Sequence, residues 1–374
     1  MSIKKKYLAR FDRWLFESYS FDAKQWGLFR IIYALFMLVL FGLPQLVYLD
    51  GLPDAFFKPP RMSIGQFASG FPDLLFLQIL GLLIVVAYLC ILFGYRTKTA
   101  SIAGVLLAFF AKTFVYSLGQ INHDFMVWLV PLAGAFANWG AGYSIDAKNR
   151  SLEKSSQTQS WPIVLLVIIF CFAFALSGIH KILGGWTNLD LTAVQQMLAR
   201  SAVVSQRDHF LAPFFLTFNN YYFWKAIDFL TLFFEIGIVV GIFLPRVFRI
   251  FLMAAVGFHA ANLLMLNIDF SFNFAFYALF LNWVGISLWV DQSARAQTIL
   301  SKMLTWRTFL VASILYLVFF FLTESSLIIF ALTQIGFDYL GNAFVRILIG
   351  VGVVLWAIAH YLKTRSTPLI NGIK

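Results

Sequence analysis

Residues 174–186 read F-A-L-S-G-I-H-K-I-L-G-G-W, and this stretch closes a long apolar run that begins at Trp161. A run of that length and composition suits a helix that crosses a bilayer. Near its end stand two ionisable residues, His180 and Lys181, followed by Gly184, Gly185 and Trp186. A cation at a helix end can snorkel to the headgroups. Equally, Lys181 can sit in a partly dry pocket, where burial favours the neutral amine and lets it act as a base. The residues of this stretch leave both readings open.

The rest of the composition agrees with a membrane setting. Of 374 residues 61% are hydrophobic and 12% charged, with 44 phenylalanines. A soluble fold has no room to hide so much apolar surface, so the sequence predicts an all-α, polytopic transmembrane helical bundle whose partner is the lipid bilayer. The net charge of +11 then marks cytoplasmic loops, not nucleic-acid binding. The basic start M-S-I-K-K-K lacks the pattern of a removable signal peptide. Cys90 and Cys171 fall inside apolar runs and read as packing residues, with neither a disulfide nor a metal cluster indicated.

Hydropathy predicts an amphipathic cytoplasmic segment at 1–25 and about ten spans, near 26–49, 72–93, 99–118, 122–140, 161–183, 222–244, 247–266, 269–290, 306–332 and 339–362. The longest connection, 184–221, is long enough for a lid or docking surface. With the N-terminus inside, the inner segments carry 19 Lys and Arg and the outer loops 4. That bias places both termini in the cytoplasm of a multi-pass protein of a cell (cytoplasmic) membrane. It also puts His123 and Asp124, His180 and Lys181, and Asp269 near the outer face, with His259 and Asn262 on one helical face in the outer half of their span.

Each polar residue has a plain structural reading. Asp124 and Asp269 suit helix N-termini, where the dipole favours acids, and His123 suits a helix start. Glu235, near mid-membrane and sharing a face with Asp228, needs a partner or a proton. Gly237 and Gly241 read as close helix packing. Lys112 calls for a carboxylate, and Glu324, Arg346 and His360 for one another. The functional reading rests on several proton-carrying groups from separate spans at one depth. No i, i+4 histidine pair, phosphate loop, dinucleotide fingerprint or nucleophile elbow is present.

Three further stretches bear on function: I-N-H-D-F-M-V-W-L followed by G-Y-S-I-D (122–146), F-H-A-A-N-L-L-M-L-N-I-D-F (258–270), and the opening W-G-L-F-R-I with a later Y-L-D-G-L. Together with 174–186, and in this order over about residues 20–290, they resemble the membrane domain of vitamin K-dependent gamma-glutamyl carboxylase, the horizontally transferred transmembrane (HTTM) domain. The resemblance implies a domain over 26–290, with 291–374 adding two spans and a short basic tail. In that carboxylase a lysine deprotonates a reduced quinone, which reacts with oxygen. The strong base so formed removes a glutamate gamma proton, and the carbanion takes up carbon dioxide. Carried over, Lys181 falls at the base lysine, and His123 and His259 at active-site histidines. His180, Trp186 and Asn262 become candidates for holding a reduced quinone of the vitamin K or menaquinol type. The two extra spans stand where the carboxylase has an extensive lumenal region, so propeptide engagement is not expected.

The leading expectation is therefore a quinol-dependent carboxylase-like enzyme (lyase and epoxidase) with its site at the outer face. The alternative is a non-catalytic membrane protein that binds or matures a secreted peptide or lipid. A transporter is the third reading, and it would need a polar path to the inner face, where only Glu235 lies deep enough.

Overall fold

The computed structural model describes residues 3–41, 43, 45–119, 124–148, 158–323, 331, 333–334 and 339–366. It is all-helical, with 78% helix and no strand among the described residues. Among the described residues, six helices are long and apolar enough to cross a membrane: Ala23–Phe41, Leu74–Phe93, Thr97–Leu118, Trp161–Leu183, Pro245–Leu266 and Trp306–Thr323. Three of the four remaining expected spans contain helix in shorter or interrupted form, and the fourth lies in one helix. Phe125–Ala137 has 13 residues. Tyr221–Gly237 tightens into a 3-10 turn at Ile238–Ile242. The segment expected at 269–290 is split by an extended residue, Leu281, between Ala278–Phe280 and Trp283–Gln292. Tyr339–Ser366 is helical. Hydropathy could not see these interruptions, because an apolar run stays apolar when its backbone breaks.

The chain forms two compact units. The first comprises Met1–Phe172 and Trp283–Phe337, the second Ala173–Asn282 and Asp338–Lys374.

In the first unit, Asp22 opens helix Ala23–Leu35 with a capping box to Gln25, which satisfies two orphan N–H groups. The helix then buries Trp26, Phe29 and Tyr33 against Tyr88, Trp139 and Trp283. The Tyr33 hydroxyl donates to the Val127 carbonyl at 2.8 Å. Gly27 and Gly142 let two backbones touch. A Cβ on Gly27 would stand 2.3 Å from the Gly142 carbonyl oxygen, and one on Gly142 would stand 2.0 Å from that of Ala23. Close by, the fully buried Arg30 donates to the carbonyls of Ile91, Leu92 and Tyr143. Two of these belong to the end of helix Leu74–Phe93, where carbonyls lack helical partners. Asp146 serves the next helix start, accepting from the Arg96 and Thr97 N–H groups at 2.9 and 2.7 Å and from the Thr97 hydroxyl at 2.7 Å. The motifs W-G-L-F-R-I and G-Y-S-I-D thus join one helix end to the next helix start.

In the second unit, the connection after Leu183 is folded, not loose. Helices Ala193–Ser205 and Ala212–Thr217 build a small core of Val194, Leu198 and Ala212 with Trp224 and Leu266. The buried Lys225 ammonium donates to the carbonyls of Trp186, Asn188 and Leu191 at 2.7–2.9 Å. Asp228, also buried, accepts from the N–H groups of Ala193 and Val194 at 3.0 and 2.9 Å and so caps Ala193–Ser205. Of the G-x-x-x-G pair, Gly241 lies where a Cβ would come within 3.0 Å of the Phe248 backbone, which is the close packing its small size permits. Arg346 pairs with Asp269 at 2.6 Å and with Ser271 at 2.8 Å. This replaces the expected grouping of Arg346 with Glu324 and His360. Residue 324 lies outside the described residues, and so does the side chain of residue 360.

Candidate functional site

Lys181 occupies the last turn of helix Trp161–Leu183. Gly178, one turn earlier, has no side chain, and a Cβ there would meet Ile236 at 2.7 Å and the Glu235 Cβ at 3.3 Å. That gap brings the end of helix Tyr221–Gly237 directly against the lysine. Lys181 Nζ forms an ion pair with Glu235 Oε1 and donates to Ser177 Oγ at 2.9 Å. It also lies 5.3 Å from the centre of the Trp186 indole, a favourable cation–π distance. The Lys181 side chain is 21% exposed and that of Glu235 5%.

The sequence reading placed Lys181 near the outer face and Glu235 near mid-membrane; in the structure their side chains touch. The carboxylate that meets Lys181 is that of Glu235. The signal was present in the sequence. An acid inside a span needs a partner, and Glu235 was an acid still without one.

His259 lies elsewhere in the same unit. It is buried, and its Nε2 is 2.7 Å from the Tyr277 hydroxyl, whose ring stacks on the imidazole at 7° and 5.9 Å. Phe270, Phe258 and Phe174 complete an aromatic box at 5.0, 5.8 and 6.4 Å. Phe174 is the link to the lysine, standing two turns before Lys181 on the same helix. His180 is exposed, with Nδ1 2.8 Å from the Leu176 carbonyl of its own helix. Asn262 is half-buried, and its backbone carbonyl takes the N–H groups of Asn267 and Ile268 at the helix end. His123 lies outside the described residues. Of the six residues singled out from sequence, the structure therefore gathers Lys181 and Trp186 into one site and sets His259 behind Phe174. Ser177, Glu235 and Tyr277 join them without having been singled out as site residues.

The first unit holds a second buried lysine–carboxylate pair. Lys112 bonds Asp124, which also accepts from the Tyr116 hydroxyl and from Trp128 Nε1 at 3.3 Å. The Tyr116 and Trp128 rings each lie 5.5 Å from the ammonium. Asp124 stands at the N-cap of helix Phe125–Ala137, as expected of a helix N-terminal acid, but its carboxylate makes no capping bond; both of its oxygens are engaged by these three side chains. Glu235 differs. Its Oε2 is buried and has no hydrogen-bond partner, the sole such carboxylate oxygen among the described residues.

A buried acceptor without a donor is costly unless something fills it. Chemically, the site offers a hydrogen-bond acceptor, an adjacent lysine amino group and an indole beside them. A reduced quinone, which brings hydroxyl donors on an apolar ring, fits that donor set.

Known proteins agree with the helical, membrane-spanning reading. The family model for the HTTM domain matches residues 19–289. No curated protein and no solved structure matches the chain. The matched span covers most of the chain and takes in every described residue of the Lys181 site, so the chain belongs to the HTTM-domain family, carboxylase-related proteins of the membrane.

Proposed function

We propose that the protein is a quinol-dependent, carboxylase-like enzyme of the cytoplasmic membrane, with ten spans, both termini inside and its site toward the outer face. The observation that carries this reading is the Lys181 site itself. A lysine in a span contacts a carboxylate whose second oxygen is buried and bare. A reduced quinone, when bound, supplies reducing equivalents and an ionisable hydroxyl. Lys181 is the base that takes the hydroxyl proton, and Ser177 and Trp186 hold its side chain in place. His259, tied to Tyr277, is a hydrogen-bonding or relay group of the same reading, and His180 and Asn262 complete the candidates for holding the quinol; the same role for His123 is what the family resemblance implies.

Lys181→Arg tests the base. Arginine keeps charge and reach but does not deprotonate in proteins. In a host lacking the wild-type gene, Lys181→Arg should give no carboxylated glutamate in secreted proteins by mass spectrometry, at unchanged membrane levels. A fully active Lys181→Arg protein would end the catalytic reading. That result would favour the second reading, a membrane partner that binds or matures a secreted peptide or lipid. The second reading draws on the apolar side chains that segment 184–221 leaves exposed, among them Leu189, Val203 and Val204.

A further inference from the structure

We infer that Glu235 is the immediate proton acceptor for Lys181, and that the two residues form a dyad for a lipid-soluble phenol or hydroquinone. This rests on the reading of Lys181 as a base.

An ammonium cannot be a base, so something must take its proton first. Bulk water is one candidate, but only a fifth of the Lys181 side chain is exposed. Glu235 Oε1 is in hydrogen-bond contact with Nζ already, and a proton crosses that bond without any heavy atom moving. The N–H bond of Lys181 breaks, an O–H bond forms on Glu235, and a charged pair becomes an amine beside a carboxylic acid. Lys181 then takes the proton of a bound hydroxyl, and the O–H electron pair stays on the ligand oxygen. The regenerated ammonium lies next to that oxygen and compensates its charge.

The Lys112 pair is an internal control for this argument. There both oxygens of Asp124 are held by donors, from Tyr116, Trp128 and Lys112. Three donors hold a carboxylate in its charged form and fix it in place. Glu235 has one donor and a bare oxygen. A site kept one donor short is open to a ligand, whereas a saturated one is closed. The other titratable groups near Glu235 do not compete for its proton. Asp228, two turns earlier on the same helix, is engaged by Lys225 and by the start of Ala193–Ser205. On helix Pro245–Leu266, His259 is bonded to Tyr277. On helix Trp161–Leu183, His180 is exposed and bonded to its own helix.

The test uses the full chain in lipid nanodiscs with an alkylated 4-nitrophenol, whose phenolate absorbs visible light. Wild-type protein should ionise the bound probe at a pH at least one unit below its midpoint in empty nanodiscs, about a tenfold shift in the equilibrium, and the infrared C=O band of a protonated carboxyl should appear with the phenolate. Lys181→Met, which removes base and charge together, should abolish both signals. Glu235→Gln leaves a cation that still favours the phenolate, so it should keep the visible signal and lose the carboxyl band. A wild-type phenolate signal without the carboxyl band, or a band that persists in Glu235→Gln, would overturn the role of Glu235 and leave the base reading standing. No phenolate shift in wild type, or a full one in Lys181→Met, would overturn both. Should Glu235→Gln fail to accumulate, Glu235→Asp decides: its band should move in frequency, and an unmoved band belongs to another carboxyl and overturns the role of Glu235.

Discussion

Replacing Lys112 with Met should destabilise the protein by about 3 kcal/mol. Lys112 and Asp124 keep only 12% and 5% of their side chains exposed. Deleting one member of such a pair strands the other, which typically costs about 3–5 kcal/mol. The lower end applies here because the Tyr116 hydroxyl and Trp128 Nε1 still donate to Asp124. The change corresponds to roughly two orders of magnitude in the ratio of folded to unfolded protein. The double variant Lys112→Met, Asp124→Asn should recover most of the loss, because the amide oxygen can accept from Trp128 Nε1 while the amide NH2 donates to the Tyr116 hydroxyl, and the stranded charge is gone. An exposed pair gives the reference. Lys24–Asp291, at 2.7 Å, leaves 55% and 33% of its side chains open, and Lys24→Met should cost less than about 1 kcal/mol.

The assay is unfolding in mixed micelles, followed by tryptophan fluorescence, with the four proteins compared at matched conditions. Two results would refute the reasoning. If Lys112→Met costs no more than Lys24→Met, the first pair is not held in a dry environment. If the double variant is as unstable as Lys112→Met alone, the loss came from packing of the lysine stem and not from the uncompensated acid.

Two more predictions follow from the same contacts. Asp146→Ala removes three acceptor contacts at the start of helix Thr97–Val115 and should cost about 1–2 kcal/mol in the same assay, with Asp146→Asn nearer wild type; equal losses would show that the carboxylate is not acting as a cap. For topology, single cysteines at Ser205 and Thr298, both exposed, are introduced after Cys90 and Cys171 are replaced. With ten spans and both termini inside, an impermeant maleimide should label 205 and not 298 in intact cells, and the opposite pattern would invert the orientation.

Much of the fold was legible because apolar length is a local property. The run 161–183 reads as a helix from its own residues, and it is one in the structure with those bounds. Lys112 announced its need for a carboxylate, and Asp124 supplies it from twelve residues away. What the sequence hid was long-range. Arg30 reaches carbonyls sixty residues on, and nothing in W-G-L-F-R-I says that its arginine finishes another helix. Nor does helix periodicity announce that Leu281 will be extended. The candidate site was half legible. Lys181 and Trp186 stand in one stretch, but Glu235 comes from another helix, brought in because Gly178 leaves room. Pairing the two required knowing which helices touch.

Five basic residues lie outside the inner segments and outer loops that set the charge bias: Arg30, Lys112, Lys181, Lys225 and Arg346. A cation there is expensive, so each needs a compensating environment. Arg30 finds backbone carbonyls. Lys225 finds three carbonyls and Asp228, whose two oxygens also cap a helix. Arg346 finds Asp269, whose other oxygen accepts from the Ser271 N–H at 2.8 Å. Lys112 finds Asp124, bonded through both oxygens. These four arrangements hold helix ends and segments together, and in the three that involve a carboxylate no oxygen is left over. Lys181 alone is matched to an acid with an oxygen to spare. Stability would be served by filling that position, as a tyrosine does beside Lys112. Under the proposed function, a hydroxyl of the bound ligand fills that position instead.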